Sequence, residues 1–290
     1  FHDFLIKHIE RTFGENWWKQ QLKTKDRQEV VKWASIYAQM TKKFTNEQHK
    51  IDEFIYEADS PAPAWALLTL GYDLLCLQAE KMLPDFMIQR LRKYREFQSV
   101  RYEIAVSSIM ARCGFRNSFL DELKRIEKHC EFIAIHKELN IRVGVEAKSR
   151  RRRGVIHENG NFDYIEDYKG ILDLVRSANK QKPRGMPFFI FVDLNLPHTP
   201  GASFYDKPWI KDIEKMLEKL GTPSSEHPTP YTSLIFTNFA HQYGDMETLA
   251  YPGEKGILIS LYPEHPILNM KIFDVLDSIL KRYDNVPREL

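Results

Sequence analysis

Apolar residues recur at helical spacing through the first third of the chain. Positions three or four residues apart share one face of an α-helix, so this recurrence predicts amphipathic helices. Two such faces are formed by Phe4, Leu5, His8, Ile9 and Phe13, and by Val30, Trp33, Ala34 and Tyr37. A further helix is predicted to begin at Ser60 and Pro61, a capping residue followed by a proline suited to the first turn. Residues 1–95 are therefore predicted to form an all-helical N-terminal domain.

The longest apolar stretch of the chain, residues 62–77, is interrupted by Asp73. A membrane-spanning helix needs about 20 consecutive apolar residues, and this stretch is shorter than that. It is predicted to be a buried helix, and the protein is expected to be soluble, with no membrane partner.

After residue 96 the pattern changes, because helical segments alternate with short apolar runs. The runs at 187–194, 231–236 and 256–262 have the length of buried strands. Two apolar stripes at helical spacing accompany them, one around Trp209 and one around Ile272. Each stripe needs a sheet to cover, so residues 96–290 are predicted to form an α/β domain.

Two neighbouring apolar runs carry charged residues. Glu131 lies in the run 130–134, while Glu146 and Lys148 occupy alternate positions at the end of the next run. Alternate residues of a strand share a face, so Glu146 and Lys148 point the same way, and a hairpin through residues 137–140 places Glu131 beside Glu146. Charge among apolar residues costs free energy unless it is paired, hydrogen-bonded or bound to metal. These strands are therefore the strongest candidate for a functional site.

The segments around these two strands complete an ordered set. A helix is predicted over residues 98–111, with Glu103 as its one central acid, and it ends before Gly114, a residue type favoured just past a helix terminus. A first strand is expected between residues 115 and 126, and a helix over residues 165–181. The order is thus helix with Glu, strand, strand with Glu, strand with Glu-x-Lys, and helix.

This order resembles the core of the PD-(D/E)XK nuclease superfamily over residues 98–195. The resemblance implies a restriction-endonuclease-like mixed sheet flanked by helices. It implies that Glu131 and Glu146 are metal ligands and that Lys148 lies near the attacked phosphate. Glu103 would match the helix glutamate that supports the metal site in many members.

The resemblance also implies a cofactor and one more polar group. The cofactor is Mg²⁺ or Mn²⁺, because hard cations bind carboxylate oxygens together with substrate phosphate oxygens. The extra polar group in the family lies on the helix after the third strand, where Asn179, Lys180 and Gln181 are candidates. One departure is that Glu131 stands where the family usually has aspartate. This departure favours the alternative of a catalytically inactive nuclease-fold module that binds nucleic acid or assembles with proteins.

Positive charge is concentrated near these acids. The strand that carries Lys148 is followed by four arginines, namely Arg150, Arg151, Arg152 and Arg153. Residues 81–160 hold 18 Lys and Arg against 10 Asp and Glu, although the whole chain has a net charge of only +2. Such a run makes salt-sensitive contacts with phosphates, so these arginines, with Asn179 and Lys180, are predicted to bind DNA. The basic and aromatic segment 89–97 is interpreted as a solvated helix face.

The remaining signals narrow the class of protein. Three widely spaced cysteines favour a reducing, cytoplasmic compartment, and the absence of a phosphate-binding loop excludes a nucleoside-triphosphate motor. The sequence therefore predicts a Mg-dependent endodeoxyribonuclease for restriction, defence or repair, with RNA as a substrate left open. The helical N-terminal domain would recognise substrate, a protein partner or a second copy of the chain. Two other interpretations remain: a surface hairpin in which Glu146 and Lys148 form a solvated pair, and a helical interaction scaffold with an incidental basic loop.

Overall fold

The computed structural model of the protein describes residues 1–45, 47–52, 55–56, 59–120, 129–150, 167–196, 203–239, 256–283 and 285–287. The N-terminal part is mostly helical, as predicted. Its helices are α1 (His2–Phe13), α2 (Glu15–Lys23), α3 (Glu29–Phe44), α4 (Ala62–Ala79) and α5 (Asp85–Leu91).

A short antiparallel ribbon lies between α3 and α4. It pairs β1 (Lys50–Asp52) with β2 (Ile55–Tyr56), and all the residues of β1 are exposed. The prediction of an all-helical N-terminal domain is therefore wrong at this point. The three residues of β1 include no buried one, so no periodic apolar pattern marks this strand in the sequence.

Helix α4 forms the centre of the N-terminal core. It is apolar on nearly every side, and it packs against α1 and α3. Gly71 permits the close approach of α1, because a Cβ at this position would lie 3.0 Å from Cδ1 of Ile9. The prediction of a buried helix over residues 62–77 is confirmed. Among the described helices, none combines the length and the apolar character needed to cross a membrane.

The rest of the chain builds a mixed α/β layer structure. Its elements are α6 (Phe97–Arg112), β3 (Phe115–Phe119), β4 (Phe132–His136), β5 (Arg142–Ser149), α7 (Tyr168–Asn179), β6 (Phe188–Asp193), α8 (Pro208–Leu220), β7 (Ser233–Thr237), β8 (Gly256–Ile259) and α9 (Lys271–Lys281). The predicted helices and strands of this half are confirmed, with ends that differ by a few residues.

The strands form one sheet in chain order, β3-β4-β5-β6-β7-β8. Neighbours from β3 to β5 are antiparallel, those from β5 to β7 are parallel, and β8 is antiparallel to β7. Parallel neighbours need a crossover connection, and α7 and α8 lie in the connections that precede β6 and β7. The sheet is thus mixed, with its buried strands β6 and β7 at the parallel centre.

Helices cover both faces of the sheet. One face, which includes Phe132, Val145 and Phe189, packs against α6 and α9. The other face, which includes Ile133 and Ile190, packs against α7 and α8. The predicted α/β layering is confirmed.

Helix α6 belongs to both cores. Its residues Phe97, Val100 and Ile104 pack among the N-terminal helices, while Tyr102 and Ile109 pack on the sheet. The helix is therefore buried along almost its whole length. It fixes the N-terminal helices against the sheet next to the acids described below.

Candidate active site

The hairpin of β4 and β5 brings two of the predicted site residues together. Its register pairs Phe132 with Val145, which places Glu131, just before β4, across from Glu146. The backbone N–H of Glu131 donates a hydrogen bond to Oε2 of Glu146 at 3.1 Å. The juxtaposition predicted from strand alternation is therefore present in the structure.

Glu146 is fully buried, and Lys148 lies beside it on the same face of β5. The ammonium group of Lys148 forms an ion pair with Oε1 of Glu146. The same nitrogen donates a hydrogen bond to Oε1 of Gln181, just past the end of α7, at 3.0 Å. This geometry differs from a solvated surface pair, because Glu146 is removed from water and Lys148 contacts both Glu146 and Gln181.

A third carboxylate, that of Glu103, lies buried on α6. Its two oxygens accept hydrogen bonds from Nη1 and Nη2 of Arg90, at 2.7 and 3.0 Å. The Nε atom of Arg90 also donates to Glu96 at 2.9 Å. Arg90 comes from α5, so the N-terminal helices contribute a guanidinium group to the candidate site.

The prediction that segment 89–97 is a solvated helix face is wrong for Arg90, whose side chain is only 15% exposed. The reason is tertiary: α5 packs on α6 and directs this side chain toward Glu103. Arg90 and Glu103 are 13 positions apart in sequence, which is not a spacing that local pattern rules detect. The only sequence signal was the basic character of the segment.

The carboxylates influence one another. Burial raises the pKa of Glu131, and the negative charges of Glu103 and Glu146 raise it further. Burial also raises the pKa of Glu146, although Lys148 and the N–H of Glu131 oppose that rise. Glu103 acts on both groups, so the three acids form one electrostatic cluster.

The balance of charge in this cluster favours an added proton or cation. In the part of the chain that the structure describes, the three carboxylates of Glu103, Glu131 and Glu146 interact with two side-chain cations, Arg90 and Lys148. With every group ionised, the cluster has excess negative charge in a buried setting, which is costly. Burial is the main cause of the raised pKa values of Glu131 and Glu146, and the neighbouring carboxylates add to it, so an added proton or cation would relieve the cost.

The chemistry of these donors suits a hard divalent cation, because carboxylate oxygens are its preferred protein ligands. In the described residues, however, no three His, Cys, Asp or Glu side chains are arranged to hold a metal ion. The present partners explain this arrangement: Lys148 contacts Glu146, and Arg90 contacts both oxygens of Glu103.

Three candidates were predicted for the polar residue on the helix after the third strand, and one of them contacts Lys148. Gln181 is the residue that reaches Lys148. Asn179, the last residue of α7, instead lines a cavity of about 330 Å³ with Leu220 and Tyr231. Lys180 follows it at the C-cap position of the helix and is exposed.

Arg150, the first of the four arginines predicted to bind DNA, is buried. Arg150 is only 7% exposed and forms an ion pair with Asp167, the residue that caps α7. Its carbonyl oxygen accepts hydrogen bonds from Gln98 and Asn195. A phosphate contact by Arg150 would therefore require this ion pair to break. Arg151, Arg152 and Arg153 lie outside the described residues.

No protein-family model, curated protein or solved structure matches this chain. Its function is therefore inferred from the residues of the site. The informative features are the convergence of Glu103, Glu131, Glu146 and Lys148, and the participation of Arg90.

Proposed function

We propose that the protein is a metal-dependent nuclease of PD-(D/E)XK type that hydrolyses phosphodiester bonds of DNA. The observation that carries the proposal is the meeting of Glu131, Glu146 and Lys148 at one end of the β4–β5 hairpin, with Glu103 close enough to raise the pKa of Glu131. The element order α6-β3-β4-β5-α7-β6 supports the proposed restriction-endonuclease-like core.

Glu131 and Glu146 are the residues that would hold Mg²⁺ or Mn²⁺. When bound, such an ion supplies an activated water and offsets the charge that develops on the phosphate. The backbone N–H of Glu131 fixes the carboxylate of Glu146, so the orientation of one ligand depends on the backbone of the other. Glu131 is one methylene longer than aspartate, and its partly buried position before β4 lets that side chain extend toward Glu146 and Glu103.

Lys148 is suited to contact the attacked phosphate. An ammonium group has three donors, and its contacts with Glu146 and Gln181 use two of them. In the described part of the chain, one donor is thus left for a phosphate or water oxygen. A preoriented cation stabilises charge that appears in the transition state without reorganising during the reaction.

The cytoplasmic location is part of the same proposal. All three cysteines, Cys76, Cys113 and Cys130, are free thiols, which suits a reducing compartment. Burial raises the pKa of Cys113 and of Cys130 to about 12, so both remain protonated and unreactive at neutral pH.

A second candidate function is a nuclease-fold module that binds nucleic acid or assembles with proteins without cleaving. The observation that favours it is the occupation of the carboxylates by side-chain cations, with Lys148 on Glu146 and Arg90 on Glu103. Metal binding separates the two candidates. Calorimetric titration with Mn²⁺ should give a saturable signal for the nuclease, and Glu131→Ala should abolish it.

The decisive experiment is cleavage of plasmid DNA with Mg²⁺ or Mn²⁺, with an RNA substrate assayed in parallel. We expect Glu146→Ala and Lys148→Ala to lower the rate by about 100-fold or more, as loss of a group that stabilises the transition state does. The matched control is Glu138→Ala, which removes an exposed acid of the same hairpin. Equal activity of wild type, both site variants and the control would reject the site.

A further inference from the structure

The turn formed by residues 92–96, between α5 and α6, is held beside the candidate site from both ends. On the α5 side, Arg90 contacts Glu103. On the α6 side, Nε2 of Gln98 donates to Oγ of Ser149 at 3.3 Å and to the carbonyl oxygen of Arg150 at 3.0 Å. Since Ser149 directly follows Lys148, the turn lies next to the end of β5 that carries the proposed catalytic lysine.

Contacts within the turn and behind it fix its shape. The guanidinium of Arg92 donates to the carbonyl oxygen of Phe13 and lies 5.9 Å from the centre of the Trp17 ring. The ammonium of Lys93 donates to Oε1 of Glu96 at 2.9 Å. The turn is therefore a prearranged surface and needs little ordering when a ligand binds.

The outer side of this turn presents a tyrosine between two basic residues. Tyr94 is 50% exposed, the side chain of Lys93 is 62% exposed, and Arg95 is exposed as well. An aromatic ring flanked by cations is the arrangement that binds single-stranded nucleic acid, because a base stacks on the ring while the cations contact neighbouring phosphates. A paired base within a duplex does not offer its face to such a ring.

We propose that this turn binds an unpaired stretch of the substrate strand next to the phosphate that is cleaved. One base stacks on Tyr94, and Lys93 and Arg95 contact the flanking phosphates. The proposal rests on the proposed nuclease function and specifies its substrate as nucleic acid with a single-stranded segment, such as an overhang or a flap.

The length of helix between the turn and Glu103 suits one continuous strand. Glu96 occupies the N-cap position of α6, and Glu103 lies seven residues further along the chain. At a rise of 1.5 Å per residue this separation is about 10 Å along the helix axis. Stacked nucleotides advance by about 3.4 Å each, so this length of helix corresponds to about three nucleotides.

The test is binding measured by fluorescence anisotropy in EDTA, where metal-dependent cleavage does not occur. The probes are a labelled duplex with a single-stranded overhang and a blunt duplex of the same sequence. We expect Tyr94→Ala to weaken binding of the overhang probe by about 5- to 150-fold, the range for loss of one stacked base, and to leave the blunt duplex nearly unchanged. Tyr94→Phe should bind like wild type, because it keeps the ring.

Two further variants separate charge from stacking. Lys93→Ala should lower the slope of log affinity against log salt concentration by about 0.7, the value for one lost contact with a single strand. Tyr205→Ala, which removes another exposed tyrosine, is the matched control and should bind normally.

Wild-type affinity in Tyr94→Ala, an equal loss for both probes, or no binding of either probe by wild type would each overturn the proposed surface. Failure of the nuclease proposal looks different. The overhang probe would then bind in a Tyr94-dependent way, yet adding Mg²⁺ or Mn²⁺ would produce no cleavage.

Discussion

The guanidinium of Arg90 donates two hydrogen bonds to the carboxylate of Glu103, at 2.7 and 3.0 Å. This contact joins a helix of the N-terminal region to the helix that also packs on the sheet. Its side chains are only 15% and 6% exposed, so the pair is largely shielded from water. The N-terminal helices therefore take part in the electrostatics of the acid cluster as well as in packing.

Loss of Arg90 should destabilise the fold. Arg90→Ala leaves the buried carboxylate of Glu103 without its bidentate partner, and breaking a buried pair in this way costs about 3 kcal/mol or more. The free energy of unfolding measured in urea should fall by that amount. Adding Glu103→Gln to Arg90→Ala should recover part of the loss, because the buried negative charge of Glu103 is then removed.

The control for this prediction is an exposed ion pair. Lys281→Ala breaks the contact with Asp277 on α9, whose side chains are 68% and 44% exposed. Such surface pairs contribute less than about 1 kcal/mol. If Arg90→Ala and Lys281→Ala had equal effects, the buried pair would have no special role.

Gln181 should affect catalysis without affecting substrate binding. It holds the ammonium of Lys148 at 3.0 Å, and residues that orient a catalytic group typically contribute 10-fold or more, so we expect Gln181→Ala to lower kcat about 10-fold with little change in KM. Asn179→Ala is the matched control, because Asn179 lies two residues earlier and lines a cavity with Tyr231. Equal rates for the two variants would show that the contact with Lys148 has no catalytic role.

The sequence was sufficient to predict the structural features that depend on local periodicity. The apolar run that became β6 and the alternation that pairs Glu131 with Glu146 are both short-range patterns, and both were predicted correctly. Glycine just past α6, with a φ of 87°, likewise marked the end of that helix. These features are encoded within a few residues of where they act.

Other parts of the site depend on tertiary geometry and left no local signal. Arg90 reaches Glu103 only because α5 folds back on α6, so its role could not be read from the basic segment alone. The choice among Asn179, Lys180 and Gln181 depends on where α7 ends and which way the chain then turns, and boundaries are the least predictable feature of a helix. The burial of Arg150 depends likewise on Asp167, 17 residues away in sequence.

The burial of Asp73, which accepts a hydrogen bond from Tyr283, should make stability depend on pH. Burial raises the pKa of Asp73 to about 6 from 3.8, so its protonation stabilises the fold at low pH, and that contribution is lost as the pH rises through about 6. The hydroxyl of Tyr283 donates to the ionised carboxylate. Tyr283→Phe should therefore lower the free energy of unfolding by about 2 kcal/mol above pH 6, and by less at pH 4.

Tyr37→Phe is the control for this prediction. Tyr37 also donates to an aspartate, Asp3, at 3.3 Å, but this hydrogen bond is exposed to solvent. Tyr37→Phe should therefore lower the free energy of unfolding only slightly at every pH. If the loss in Tyr283→Phe were the same at pH 4 and pH 8, the hydrogen bond would not depend on the ionisation of Asp73.

The acid cluster predicts a second pH effect that metal should reverse. Burial and neighbouring carboxylates raise the pKa of Glu131 from 4.5 to about 8, so in metal-free buffer the folded state holds a proton that the unfolded state releases. Stability from this proton is present at pH 5 and is lost as the pH rises toward 8, by more than about 1 kcal/mol.

Unfolding in urea with EDTA should give a flatter pH profile for Glu131→Gln than for wild type, whereas the exposed control Glu138→Gln should keep the wild-type slope. Saturating Mn²⁺ should raise the free energy of unfolding of wild type at pH 8, because a ligand that binds only the folded state stabilises it. It should not raise that of Glu131→Gln, which lacks the proposed metal ligand. Parallel profiles for wild type and Glu131→Gln would mean that the cluster does not hold this proton.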